Sequence, residues 1–265
     1  MKNIVITGST RGIGFGLAEA FLARDCRVII NGRSQKSVDQ AYKQLAASYR
    51  SDLLFGFAAA VSDPAQVEAL WQFAAQKLGT VDIWINNAGL GHDTEPFWDI
   101  PAGEVKAVIE TNILGLTYGS QVAMRGMLQQ GQGQIYNMEG FGSGGHIRHG
   151  MSLYGTSKAA VRYLTKAMVE EAKGSDILVG SLSPGMVMTD LILDRFKDDP
   201  AALEKNKRIF NIIADSVDNV SAWLVRRILA NEKHGARFNY MPRAKMAGRF
   251  VTAPFSKRDL FADKA

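Results

Sequence analysis

The chain has 265 residues, 46% of them hydrophobic and 22% charged, a balance that excludes a disordered or fibrous polymer and supplies apolar side chains for a substantial core. Its net charge of +5 is spread without any block of like charges, which argues against nucleic-acid binding and fits a basic enzyme that takes a polyanionic ligand. The single cysteine, Cys26, excludes an intramolecular disulfide, no Cys/His spacing suggests a metal site, and no apolar run approaches the roughly 20 residues that span a bilayer.

The N-terminus enters a strand pattern at once, without the apolar region of an export signal, so the expected location is cytoplasmic. Asn3–Thr7 reads as a first strand, and Thr7-Gly8-Ser9-Thr10-Arg11-Gly12-Ile13-Gly14 follows it. Glycines at such a strand-to-helix turn permit close backbone approach to a pyrophosphate, which the free N–H groups of the helix start then face. Ile13, Leu17, Ala20, Phe21 and Arg24 fall on one stripe of the helix that follows. Arg27–Asn31, Leu53–Ala59 and Val81–Asn86 are the next strands, the last running into Asn86-Asn87-Ala88-Gly89. Asn112 lies in the next helix, and Gln134–Met138 is the fifth strand. Tyr154 and Lys158, four residues apart, share one face of a long helix. Ile177–Leu182 is the sixth strand, followed by Pro184-Gly185 and Thr189, and Arg237–Tyr240 is the seventh.

These near-continuously apolar strands alternate with helical patterns. They predict an α/β fold: one Rossmann-like, doubly wound parallel sheet of seven strands with helices on both faces, in a single domain over 1–265. The charged stretch from Asp190 to Phe210 reads as helical, either a substrate lid (roughly 190–213) or a solvated excursion. The C-terminal tail (243–265) begins with a stretch that mixes Arg243, Lys245, Arg249, Lys257 and Arg258 with Met246, Phe250 and Phe255. That mixture leaves a peripheral contact with a membrane surface as a second expectation.

The ordered landmarks resemble the short-chain dehydrogenase/reductase family along nearly the whole chain. The resemblance implies a nicotinamide cofactor held by Gly8, Ser9, Arg11, Gly12, Ile13, Gly14, Arg33, Asn87, Ala88, Gly89, Pro184, Gly185 and Thr189, together with Tyr154 and Lys158. An acid ending the second strand would mark NAD; here the strand ends Ile30-Asn31-Gly32-Arg33-Ser34. Arg33 and Arg11 instead suit a 2′-phosphate, so NADPH/NADP is expected over NAD. The family's acid after the third strand is replaced by Ala60, which moves the adenine contact to Asp63 or the Val61 backbone, or removes it.

A free phenol has a pKa of about 10, and a neighbouring ammonium favours its ionised form. Tyr154 is therefore the expected proton donor to a carbonyl oxygen, or acceptor from a hydroxyl in reverse. By resemblance, Lys158 also holds the nicotinamide ribose and Asn112 a relay water. The family's catalytic Ser is missing: counting back from Tyr154 reaches Phe141, and aligning the strand end reaches Gly140. Ser143 is the nearest hydroxyl, and the surrounding glycines would let it move inward to polarise the carbonyl.

The stretches Asn137-Met138-Glu139-Gly140, Gly142-Ser143-Gly144-Gly145, Ser183-Pro184-Gly185-Met186-Val187 and Phe210-Asn211-Ile212-Ile213 look like the chlorophyll(ide) b reductases of that family. The implied reaction is reduction of a C7 formyl group to hydroxymethyl. Phe97, Trp98, Phe141, Met186, Met188, Leu191 and Phe210 are candidate lining residues, and His146 and His149 candidate pigment contacts. Another bulky aldehyde, ketone or alcohol is the alternative substrate, and an NADP-binding regulatory protein with little catalysis the alternative role. A homodimer or homotetramer, built through the helices that carry Asn112 and Tyr154, is also implied.

Overall fold

Alternation of apolar side chains along each strand divides the interior into two cores, one on each face of a sheet. The computed structural model describes residues 1–91, 95–193, 196, 200–256 and 258–261. In β1 (Asn3–Ile6), Ile4 and Ile6 enter one core and Val5 the other. The same split separates Val28 and Ile30 from Ile29 in β2 (Arg27–Gly32), and Ile83 and Ile85 from Trp84 in β4 (Ile83–Asn86). Helices α1 (Gly12–Leu22), α2 (Gln35–Ala46) and α9 (Val217–Leu229) close the first core. Helices α3 (Pro64–Leu78), α5 (Leu116–Gln130) and α6 (Ser152–Glu171) close the second.

With β3 (Leu54–Ala58), β5 (Gly133–Met138), β6 (Ile177–Ser183) and β9 (Arg237–Asn239), these strands form a seven-stranded sheet in the order β3-β2-β1-β4-β5-β6-β9. Every pairing is parallel, and all seven expected strands are present. After β3 the chain returns to the other side of β1, so the loops after β1 and β4 part and open a crevice at the carboxyl ends of the strands. A pair that the sequence reading did not expect, β7 (Met186–Val187) with β8 (Ala214–Asp215), brackets α7 (Asp190–Leu193) and α8 (Pro200–Ile213). The charged stretch after residue 190 is helical where it is described.

Helix starts account for several polar residues. Ser34 caps α2 and Ser216 caps α9. Asp63 caps α3, accepting from Ala65 N at 2.9 Å and Gln66 N at 3.3 Å with Pro64 behind it. Asp63, one of the alternatives for an adenine contact, is thus also the cap of this helix. Arg24, expected at the end of the α1 stripe, lies just past the helix and donates to Ala20 O at 2.7 Å.

The C-terminal stretch also departs from expectation. After α10 (Arg243–Thr252), Phe261 joins Met188, Phe210 and Ala214 in a third apolar cluster. Asp215 is buried beside it and accepts from Tyr240 Oη (2.7 Å), Asn219 Nδ2 (3.0 Å), Ser216 N (2.9 Å), Arg258 Nη2 (2.6 Å) and Arg249. Burial raises the Asp215 carboxyl, but the hydrogen bonds from Tyr240, Asn219 and Arg249 outweigh it and hold the group at about 2. Arg249 and Arg258 are thus turned into the protein and are not the outward charges of a membrane-facing stretch. Met246 packs on the first core, and Phe250 and Phe255 are exposed. Lys257 lies outside the described residues. No helix among the described residues is long and apolar enough to cross a membrane.

Candidate active site

The loops after β1 and β4 are laced together. Asn87 Nδ2 donates to Thr7 O (2.9 Å) and Gly8 O (2.8 Å), while the N–H groups of Asn87 and Ala88 donate to Thr7 Oγ1 at 3.0 and 3.1 Å. Both amide protons of Asn87 are therefore spent on shaping the glycine loop. Gly8 has φ +60°, and a Cβ there would lie 2.7 Å from Ala88 Cα, so only glycine allows this approach. Ser9 is fully buried, with its hydroxyl donating to Ile6 O at 2.7 Å and accepting from Asn31 N at 2.8 Å. The structure turns Ser9 inward, away from a ligand on the loop. Asn31 is the participant the sequence reading missed: it accepts from Gly8 N and donates to Phe57 O and Ala59 O.

Unlike α2, α3 and α9, α1 has no side-chain cap, and its first turn holds no acid. Its leading N–H groups are left to a ligand, and a helix start in that state is an anion site. Gly12 faces Thr189, whose Cγ2 would be 3.5 Å from an added Cβ, and Ile13 packs on the first core. Pro184 is buried, and Gly185 (φ +74°) backs onto Met241. Gly32 lies against Thr10, bringing the chain at Arg33 beside the chain at Arg11. Both arginines are exposed, and neither guanidinium has a partner among the described residues. This cradle fits a dinucleotide with an additional phosphate.

Across the crevice, α6 presents Tyr154 and Lys158 together, with Nζ 5.7 Å from the Tyr154 ring centroid. Lys158 is buried and donates to Met138 O at 3.1 Å. Burial pulls its ammonium down from 10.5 to about 8, against the opposing charge of Glu139. Asn112 lies in a π-helical segment, Glu110–Gly115, between α4 (Ala102–Ile109) and α5; such bulges recur at functional sites. It accepts from Leu90 N (2.7 Å) and donates to Leu90 O (2.9 Å) and Ser157 Oγ (3.0 Å). Both amide protons are used, leaving a lone pair on Oδ1 for a further contact. Over Gly89, Asn112 Oδ1 and Lys158 Nζ lie 3.4 and 3.5 Å from where a Cβ would stand.

The geometry settles which residue stands at the missing Ser. A Cβ on Gly140 would lie 2.5 Å from Tyr154 Oη and 3.1 Å from Lys158 Cγ, so Gly140 faces the phenol. The Phe141 side chain is partly exposed, and Ser143 is buried. Ser143 Oγ donates to Lys158 O at 3.0 Å and accepts from Gly140 N at 3.2 Å. Its one hydroxyl proton is committed to the backbone, so the expectation that Ser143 polarises a substrate carbonyl is corrected: here it staples the loop to α6.

The candidate lining residues divide. Phe97 and Trp98 are exposed, Met188 and Phe210 belong to the third apolar cluster, and Met186 packs against it. The side chain of Leu191 lies outside the described residues. His146 and His149 are exposed on the loop before α6.

Lys158 makes one stability prediction. Between pH 8 and 10.5 the unfolded chain holds the lysine proton while the folded chain has released it, so stability of the ligand-free protein rises with pH through that window. The gain is on the order of 3 kcal/mol. Denaturant unfolding at pH 7.5 and 10.5 should show it in the wild type and not in Lys158→Met; equal slopes would contradict it.

Residues 2–200 match the short chain dehydrogenase family. The probable chlorophyll(ide) b reductase NYC1 of Arabidopsis thaliana is 34% identical over an alignment of 279 positions, covering 99% of this chain and 55% of that protein. The chlorophyll(ide) b reductase NOL of Oryza sativa subsp. japonica is 35% identical, covering 86% of this chain and 66% of that protein. The chain thus spans between about half and two thirds of these relatives' length. The closed form of a serine dehydrogenase complexed with NADP+ superposes with a TM-score of 0.80 at 26% identity, covering 91% of this chain and 95% of that one.

Proposed function

The chain belongs to the short-chain dehydrogenase family, and from that premise we propose that it reduces the C7 formyl group of chlorophyll b or chlorophyllide b to hydroxymethyl with NADPH. The family acts on alcohol and carbonyl groups; the pigment is the finer part of the proposal. The observation that carries it is the phenol of Tyr154 beside buried Lys158, with glycine where a side chain would close the wall. A large planar aldehyde needs that opening. The similarity to two chlorophyll(ide) b reductases supports the choice of substrate.

In this reading the α1 start and Thr189 hold the pyrophosphate, and Arg11 and Arg33 the 2′-phosphate. The reduced nicotinamide, when bound, supplies a hydride. Tyr154 gives its hydroxyl proton to the carbonyl oxygen, and the ammonium of Lys158 stabilises the phenolate left behind. Asn112 keeps Leu90 and Ser157 in place and offers its free lone pair to a relay water. The chain acts as one domain, with α7 and α8 as the cover of the pigment site. Exposed Leu128 on α5 and Tyr163 on α6 support assembly as a dimer or tetramer through those helices.

Gly140 and the inward Ser143 favour one second reading, an NADP-binding protein with little catalysis. Anaerobic incubation with NADPH and chlorophyllide b, followed by chromatography, separates the two. A 7-hydroxymethyl product supports the reductase; none, from a protein that binds NADPH, overturns the pigment assignment. Screening other bulky aldehydes and ketones then decides between a different substrate and no catalysis.

The cofactor assignment has its own test. Arg33→Glu removes a charged phosphate contact worth about 1.5–3 kcal/mol, so NADPH binds about 10–100-fold more weakly while NADH affinity holds or improves. Fluorescence titration of both nucleotides measures it, and an equal loss for both would mean that Arg33 does not read the 2′-phosphate.

A further inference from the structure

We propose that Glu139 is a positioning residue for the reduction, acting through Lys158. The proposal rests on the reading of Tyr154 and Lys158 given above. Glu139 follows Met138, whose carbonyl accepts from Lys158 Nζ, and precedes Gly140, which faces the phenol. It therefore stands between the last residue of β5 and the loop glycine, both of which touch the catalytic pair.

Its side chain is 1% exposed. A carboxylate so buried is costly unless it is paired and hydrogen-bonded. Arg237, on edge strand β9, supplies the pair: Nε lies 3.0 Å from both carboxylate oxygens and Nη2 2.7 Å from Oε2. Ser181 Oγ donates at 2.9 Å, and Arg162 Nη1 stands 3.8 Å away. The pair is not needed to join the strands, because β5, β6 and β9 already share ladder hydrogen bonds. An apolar pair of similar volume is often as stable at such a place.

What the carboxylate changes is the surroundings of Lys158. The groups around that ammonium are Tyr154 from its own helix, Met138 O at the end of β5, neutral Asn112 from the π-helical segment and Gly89 from the loop after β4, with the Glu139 carboxylate just past β5 as the opposing charge. Arg162, from the same helix as Lys158, and Arg237, from β9, both pair with Glu139. Among the described residues, Glu139 is the negative charge that offsets the burial of Lys158. It holds the lysine charged at neutral pH and keeps Met138 O in place as its acceptor. Arg237 pairs with Glu139 at the edge of an open cavity of about 430 Å³ lined also by Arg162 and Lys166.

The test titrates Lys158 directly, by NMR of lysine Cε in the ligand-free protein, with the resonance assigned from Lys158→Met. Glu139→Gln should lower the midpoint by about 1 unit or more and move the alkaline limb of kcat/KM for NADPH and chlorophyllide b equally. Glu139→Asp should restore most of both. The double variant Glu139→Gln with Arg237→Met removes the pair whole, protects against misfolding, and should lower the midpoint by less. A midpoint unmoved in these variants overturns the proposal, even where activity falls. The NMR result needs no substrate, so absence of pigment turnover would count against the proposed reaction and leave the role of Glu139 to the titration.

Discussion

Tyr154→Phe should retain the fold and NADPH affinity while reducing carbonyl substrate about 10²–10⁴-fold more slowly, the range for loss of a positioned general acid. The substitution removes one oxygen. It leaves Lys158 on Met138 O, Asn112 on Leu90, and Ser157 Oγ donating to Tyr154 O. Single-turnover rates isolate the chemical step, with nucleotide titration and thermal unfolding as controls. A rate within threefold of wild type would mean that another group supplies the proton, and Tyr154 would lose its assigned role.

Gly14→Ala should strike the other half of the site. An added Cβ would overlap Asn87 Nδ2 and Gly8 O, and would lie 2.8 Å from Ser9 Cα. Two of these are backbone atoms, so relief requires the loop itself to move. Overpacking of this kind costs about 1–3 kcal/mol. Movement of Gly8 also breaks its ties to Asn87 and Asn31. The expected result is a lower Tm and NADPH binding too weak to saturate at millimolar nucleotide, measured by calorimetry. Unchanged affinity would mean that the nucleotide does not lie on this loop.

The seven strands and their parallel sheet were legible because each strand is an apolar run between helical stripes, and because both faces of every central strand are covered. The glycine loop and the Tyr154–Lys158 pair were legible as local spacings. Contacts between distant residues were not. Glu139 and Arg237 lie 98 residues apart, and nothing in either neighbourhood names the other. Asn31 was read for the acid it is not, although its buried amide ties the second strand to the glycine loop. Two-residue strands such as β7 and β8 are too short to show a period. The alignment of the missing Ser stayed divided between Gly140 and Phe141 because the loop length differs from the family's. Only proximity to Tyr154 Oη decided it.

The carboxylate of Asp215 has a consequence for the order in which the chain can finish folding. Its two arginine partners follow it by 34 and 43 residues, so during synthesis it waits without them after β8 has emerged. Strands β1 to β5 come from earlier sequence and can pair before then, in keeping with folding from the N-terminus, whereas α9, which closes the first core over α1, follows Asp215. The third apolar cluster and the Asp215 beside it gain their last salt link only when Arg258 has been added. A nascent chain would thus pair its central strands first and lock its C-terminal cluster last.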